Sequence, residues 1–240
     1  MEKETFVYYE TLKNRYPNVR ILTWKKEFNY SAINNFAVRE ARGEYLLFLN
    51  NDVEIITENW LEEMLQLCQQ KDVGMVGAKL YYPDDTIQHA GVVVGLGGVA
   101  AHVLCKLPRD AEGYMGRLRC VQEISAVTAA CMMVKTSVFK AVGGFDEELK
   151  VAFNDIDLCM KVRKYGVKIV FTPYAELYHY ESKSRGMEDT PEKQLRFSRE
   201  VNCFRRKWER ELLKGDPYYN PNLTLNNTDC SLRKQEKNGD

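Results

Sequence analysis

The sequence lacks several features that would narrow its class at once. Its 240 residues contain no apolar run long enough to cross a membrane: the longest, Gly91 to Cys105, is glycine-rich and shorter than the roughly 20 residues a span needs. Met1-Glu2-Lys3-Glu4 carries no apolar signal region. Neither charge is in excess, with 34 Lys plus Arg against 34 Asp plus Glu, so no global field draws the chain to nucleic acid, and no nucleic-acid partner is expected. There is no Cys-x-x-Cys pair. The seven cysteines, odd in number and several set in apolar stretches such as Ala130-Cys131-Met132, read as reduced core residues of a cytoplasmic protein rather than as disulfides or a zinc site. In that compartment the Asn-x-Ser/Thr matches at Asn29, Asn222 and Asn226 mean little.

What is present is an ordinary globular balance, 45% hydrophobic and 28% charged, laid out as alternating elements. Residues 4 to 15 read as a short helix and 19 to 22 as a strand. Ser31 can cap a helix whose apolar positions Ile33, Phe36, Ala37 and Ala41 follow the 3.6-residue period, and Gly43 can end it. Tyr45 to Leu49 is a nearly continuous apolar run, expected as a strand buried on both faces. Thr57 can cap a helix reaching Cys68, and residues 73 to 80 return as a strand. This alternation predicts a mostly parallel sheet. Residues 83 to 120 read as strands and loops, and 124 to 134 as a strand. Residues 136 to 142 and 154 to 165 read as helices, and 167 to 171 as a strand closed by Pro173. A last helix opens at Pro191. From residue 216 to Asp240 the chain turns polar, and that tail is expected to be disordered or loosely attached, leaving 1–215 as the domain.

Three places can carry chemistry. Asn50-Asn51-Asp52 lies where the strand 45 to 49 runs out, the edge at which open α/β sheets bind ligands, and offers hard oxygen ligands for Mg²⁺ or Mn²⁺; turn chemistry is the competing reading. Asn154-Asp155-Ile156-Asp157 opens a helix, where capping and the helix dipole favour acids regardless of function. Its two acids at i, i+2 do not face each other, so different roles are expected. His179 sits among aromatics, where a packed histidine is the commoner case, yet a neutral imidazole is a competent metal ligand.

The order of these segments carries more than any one of them. Phe28 to Asn35, Arg39 to Leu49, Asn50-Asn51-Asp52, Gln88-His89-Ala90-Gly91, Val127 to Val134, Gly143-Gly144-Phe145-Asp146-Glu147, Asn154 to Leu158 and Tyr178-His179 together resemble the family 2 glycosyltransferases of the GT-A fold, especially bacterial enzymes of rhamnose-containing surface polysaccharides. The resemblance spans about residues 15 to 185 and implies a Rossmann-like α/β fold with a mostly parallel mixed sheet. It implies an inverting transferase that uses Mn²⁺ or Mg²⁺, a UDP- or dTDP-sugar donor, and a saccharide or lipid-linked acceptor. Asp52 matches the metal-binding acid, with Asn50 in place of the motif's first acid. His179 matches the histidine that completes the metal site in some members. Asp155 matches the catalytic base, with Asn154 in place of the usual Glu, and Asp157 the acid after it. Asn35, Asn51, Thr128, Gly144, Phe145 and Asp146 fall near donor or acceptor. The family's opening strands find no match ahead of residue 15, so a domain lacking its first strands is expected. Peripheral contact with the inner face of the cell membrane and homo-oligomerisation are left open. So are two other readings: a non-catalytic relative that binds sugar or another chain, and a nucleotidyltransferase on a similar sheet. The last calls for a basic phosphate-binding loop near the start, which is not found.

Overall fold

A computed structural model describes residues 3–180 and 190–234. Helices α1 (Lys3–Arg15) and α2 (Tyr30–Glu40) precede strands β1 (Tyr45–Leu49) and β2 (Val53–Ile55). Helix α3 (Trp60–Cys68) and strand β3 (Val73–Tyr81) follow, then short strands β4 (Ile87–His89), β5 (Val92–Val94), β6 (Ala100–His102) and β7 (Gln122–Glu123). The chain continues through β8 (Cys131–Lys135), α4 (Thr136–Ala141), α5 (Asn154–Lys164), β9 (Lys168–His179) and α6 (Pro191–Lys214).

The α/β class holds, but the expected mostly parallel pairing does not. The sheet runs β1-β8-β3-β9-β2, and among its described pairs only β3 with β9 is parallel. Strands β1, β3 and β9 do point the same way. However, β8 slots between β1 and β3 in the opposite sense, so two ladders that would be parallel become antiparallel. Periodicity reports that a segment is a strand, not which strand it will lie beside.

Two apolar layers flank the sheet. Trp60, Met64 and Cys68 of α3 cover one face, against Val76, Leu80, Cys131, Met133 and Leu177. Met64 is fully buried, and its truncation to Ala would cost about 2–5 kcal/mol. On the other face Leu46, Phe48, Met75, Met132 and Phe171 pack under α4, α5 and the Phe204 and Trp208 side of α6.

Several local expectations are corrected. Residues 19 to 22 belong to no strand, and Leu22 is 41% exposed. Strand β1 is not buried on both faces: Leu46 and Phe48 are buried, whereas Leu49 is exposed, because β1 is an edge of the sheet with only α3's layer partly over its second face. Asn29, not Ser31, caps α2 by accepting from Ala32 N at 3.0 Å, and Ser31 Oγ instead donates to Leu149 O at 2.5 Å. α2 ends at Glu40 before Gly43 is reached, and α3 begins after Asn59 rather than Thr57. Strand β9 runs through Pro173 to His179; the ladder shifts register between Gly77 and Lys79, so the proline falls in an irregularity that needs no N–H from it. The tail is also not loose as far as residue 234. Tyr219, Leu223 and Cys230 are buried, Leu104 N donates to Thr228 O at 2.6 Å, and Val94 N donates to Asp216 Oδ2 at 2.8 Å. A few apolar residues suffice to anchor a polar stretch. Residues 235–240 lie outside the described residues.

Candidate functional site

The shared direction of β1, β3 and β9 delivers their carboxyl ends to one edge of the sheet. There Asn50 N donates to Ala130 O at 2.9 Å, and Val53 of β2 pairs with His179, so the turn between β1 and β2 lies against the end of β9. The turn thereby brings Asp52 Oδ1 to 3.2 Å from His179 Nε2. Asn50 Nδ2 is 3.1 Å from the same ring nitrogen. Both side chains are mostly buried, 16% exposed for Asp52 and 10% for His179. Asp52 Oδ1 nevertheless has no hydrogen-bond donor, because the 3.2 Å approach lacks the geometry of one. A buried, donorless carboxylate oxygen facing an imidazole nitrogen is costly as it stands and suits a cation held by both. The hard oxygen and the borderline imidazole fit Mn²⁺ or Mg²⁺. Among the described residues no third His, Cys, Asp or Glu joins them.

Asp155 is held a short way along the same edge. Its Oδ2 accepts from Ala129 N at 3.1 Å and its Oδ1 from Ile156 N at 2.8 Å. Residues 128 to 130 tie the parts together: Thr128 N donates to His89 Nε2 at 3.4 Å, Ala129 holds Asp155, and Ala130 holds Asn50. Tyr30 Oη donates to Ala129 O at 3.2 Å; burial first, and then the charge of Asp155, push its pKa well up, so it stays a neutral donor. Phe153, just before the acid-bearing turn, is left-handed at φ 61°, a strain of about 1–3 kcal/mol for a non-glycine residue. Stacking on Phe197 and Phe204 of α6 offsets it, with ring centroids 5.6 and 5.5 Å away. Glu200 of α6, 2% exposed, accepts from Val151 N and Ala152 N at 2.9 and 3.1 Å and so fixes the loop that delivers α5.

The other residues singled out in the sequence lie elsewhere. Asp157 is fully buried on the opposite side of α5, where its Oδ1 accepts from Trp208 Nε1 at 2.8 Å and pairs with Lys207 at 2.8 Å. Asn35 brackets Phe145, donating to its carbonyl at 2.9 Å and accepting from its N–H at 3.0 Å. Phe145 packs in the core on Phe48, Phe139 and Tyr30. Gly144 turns at φ +66°, and Asp146 pairs with Lys207 of α6. Asn154 is buried and donates to Val151 O at 3.1 Å, and Asn51 is exposed on the β1–β2 turn. Sequence reasoning missed the roles of two residues. Glu200 announced itself as an acid inside the apolar stripe Phe197, Val201, Phe204 and Trp208. Gln88, 3% exposed with Oε1 2.7 Å from His179 Nδ1, stood in the segment Gln88-His89-Ala90-Gly91 of the family resemblance, but nothing local pointed to its contact with His179. A cavity of about 1130 Å³ beside β9, lined by Lys79, Arg109, Arg119, Tyr174 and Glu176, includes none of these residues.

A family model described as a glycosyltransferase-like family matches residues 12–200. The chain is 53% identical over 233 residues to the protein y4gI of Sinorhizobium fredii, covering 97% of this chain and 26% of that one. It is 42% identical over 225 residues to the O-antigen biosynthesis protein RfbC of Myxococcus xanthus, covering 93% of this chain and 17% of that one. The chain thus spans about a quarter or less of the length of these relatives. In fold it is similar to the mannosyltransferase PcManGT of Pyrobaculum calidifontis, solved with GDP-Man and Mn²⁺. The TM-score is 0.59 at 15% identity, covering 87% of this chain and 52% of that one. That likeness establishes the GT-A architecture. No described helix is long and apolar enough to cross a membrane.

Proposed function

We propose that this chain, which belongs to the glycosyltransferase-like family, transfers a sugar from a nucleotide-sugar donor to a saccharide or lipid-linked acceptor with inversion, in the synthesis of a cell-surface polysaccharide. The observation that carries the reading is the donorless Asp52 oxygen facing His179, with Asp155 set on the adjoining residues of the same edge. Asp52 and His179 would hold Mn²⁺ or Mg²⁺, whose charge would offset that developing on a departing nucleoside diphosphate. Asp155, its carboxylate oriented by two backbone N–H groups, takes the proton of the acceptor hydroxyl as that oxygen attacks the anomeric carbon, a role contributing roughly 10²- to 10⁴-fold. A single displacement inverts the configuration. The name of the Myxococcus relative supports a polysaccharide product, and the ligands of the Pyrobaculum structure support a nucleotide sugar with a divalent cation. Seven free cysteines support a reducing, cytoplasmic setting.

Calorimetric binding of UDP, dTDP and GDP with and without Mn²⁺ tests this. The wild type should show metal-dependent binding of at least one nucleotide, and Asp52→Ala should lose it. Asp155→Asn should keep binding and lose transfer. Metal-independent binding, or full turnover by Asp155→Asn, would remove the corresponding residue from its role.

A further inference from the structure

The three histidines of the chain, far apart in sequence, meet around Gln88. His179 Nδ1 lies 2.7 Å from Gln88 Oε1, and His102 Nδ1 lies 2.8 Å from Gln88 O. The His89 and His102 rings stack edge to face at 4.8 Å. Gln88 is the member whose atoms admit only one assignment. Its Nε2 lies 3.2 Å from His179 O, and a carbonyl can only accept, so the amide nitrogen must be the atom placed there. The amide oxygen therefore faces His179 Nδ1, and because an amide oxygen can only accept, Nδ1 must carry a proton.

We propose that Gln88 is a positioning residue that holds His179 as the Nδ1–H tautomer and presents the Nε2 lone pair to Asp52. A second contact agrees. Asn50 Nδ2, 3.1 Å from Nε2, is then a donor to that lone pair. Asp52 Oδ1, 3.2 Å from Nε2 in an approach that lacks hydrogen-bond geometry, then faces an unprotonated nitrogen. The arrangement keeps two ligand atoms aimed at each other and prevents their closing into a His–Asp hydrogen bond that would block both. Gln88 is itself fixed at both ends of its amide and is 3% exposed, so the ring cannot rotate away without leaving buried polar groups unmet. The tautomer follows from hydrogen-bond geometry alone; its consequence for a cation rests on the proposed metal site.

The test is a long-range ¹H–¹⁵N correlation spectrum of the metal-free chain labelled at histidine nitrogens, recorded where imidazole is neutral. With three imidazoles present, His179→Gln identifies the relevant signals. Wild type should show a protonated Nδ1 and an unprotonated Nε2 on His179. Gln88→Met should shift the ring toward the Nε2–H form and weaken binding of Mn²⁺ alone, followed by its electron paramagnetic resonance, about 10- to 100-fold. Gln88→Glu retains an acceptor for Nδ1–H and should restore the tautomer, which a purely structural role would not require. An Nε2–H tautomer in wild type overturns the proposal, as does a Gln88→Met protein with unchanged spectrum and unchanged affinity. If Gln88→Met fails to fold, wild type and Gln88→Glu decide: an Nε2–H ring in either overturns it. A correct tautomer with no Mn²⁺ binding by wild type would uphold the positioning role and overturn the metal site.

Discussion

Asp155 and Asp157 stand two residues apart on α5, and the structure sends them in opposite directions, which makes Asp157→Asn a sharp test. Asp157 has a fully buried side chain; Oδ1 accepts from Trp208 Nε1 and pairs with Lys207, both at 2.8 Å, and Oδ2 has its ion pair with Lys161 at 3.4 Å. Removing one partner of a buried pair costs about 3–5 kcal/mol when the remaining charge stays dry. Here the lysine side chains are 19% and 33% exposed, and Lys207 keeps Asp146, so part of that loss is recovered by water and by the second carboxylate. Asparagine also preserves an oxygen for the indole. The expected loss is about 2–3 kcal/mol, or about 5–10 °C in Tm for a chain of this size. Thermal and urea unfolding measure it, with Mn²⁺ and nucleotide affinity measured on the folded variant and expected to be unchanged. Asp155→Asn should instead lose transfer but only about 1 kcal/mol or less of stability, because its contacts are two backbone N–H groups that an amide oxygen still partly serves. If Asp157→Asn unfolds at the wild-type temperature, or if Asp155→Asn is the less stable of the two, the assignment of α5's two faces is refuted.

Acid should weaken the metal-free fold through His89, whose burial, followed by the neighbouring His102 and His179, depresses its pKa well below 6.5. The unfolded chain takes up a proton below that value that the folded chain refuses. Stability present above pH 6.5 is therefore lost as pH falls toward the folded value, by up to about 1.4 kcal/mol per pH unit. His89→Gln should flatten this dependence in urea titrations, and parallel curves would refute it. Gly144→Ala places a Cβ 2.7 Å from Asn35 Oδ1 and 2.9 Å from Phe139 Cε1 at φ +66°, so a loss of about 2–4 kcal/mol is expected. Gly143→Ala at φ +78° meets open space and should lose only about 1–2 kcal/mol, so equal losses would contradict the packing described. Toward a disulfide reagent the exposed Cys120 should react first. Burial raises the thiols of Cys68 and Cys131 to about 11 and about 12, so both should react only on unfolding, and rapid native labelling of either would show the α3 layer to be open.

Local pattern made much of the element order legible. The apolar run at 45 to 49, the periodic helix at 154 and the Gly stop after Tyr165 each rest on contacts within a few residues, which sequence displays directly. Asn-Asn-Asp at a strand end and Asp155 at a helix start were visible for the same reason. Pro173 misled because its missing N–H normally ends a ladder, and only the register shift opposite Gly77 and Lys79 shows that none was needed. The polar composition after residue 215 hid Tyr219, Leu223 and Cys230, whose burial depends on a surface built by residues 91 to 118.

By itself the sequence determined most of the helices and strands and which chemical groups stand near their ends, since propensity, capping and apolar period are short-range properties. Tertiary structure decided which groups meet. Inserting β8 between β1 and β3 set the sheet's sense, and the return of β9 put His179 beside Asn50, 129 positions earlier. The same packing gave Asp157 to the core and Asp155 to the edge, and gathered three histidines on Gln88. Such encounters depend on long-range packing, where the same local pattern fits several partners and only the assembled core selects one.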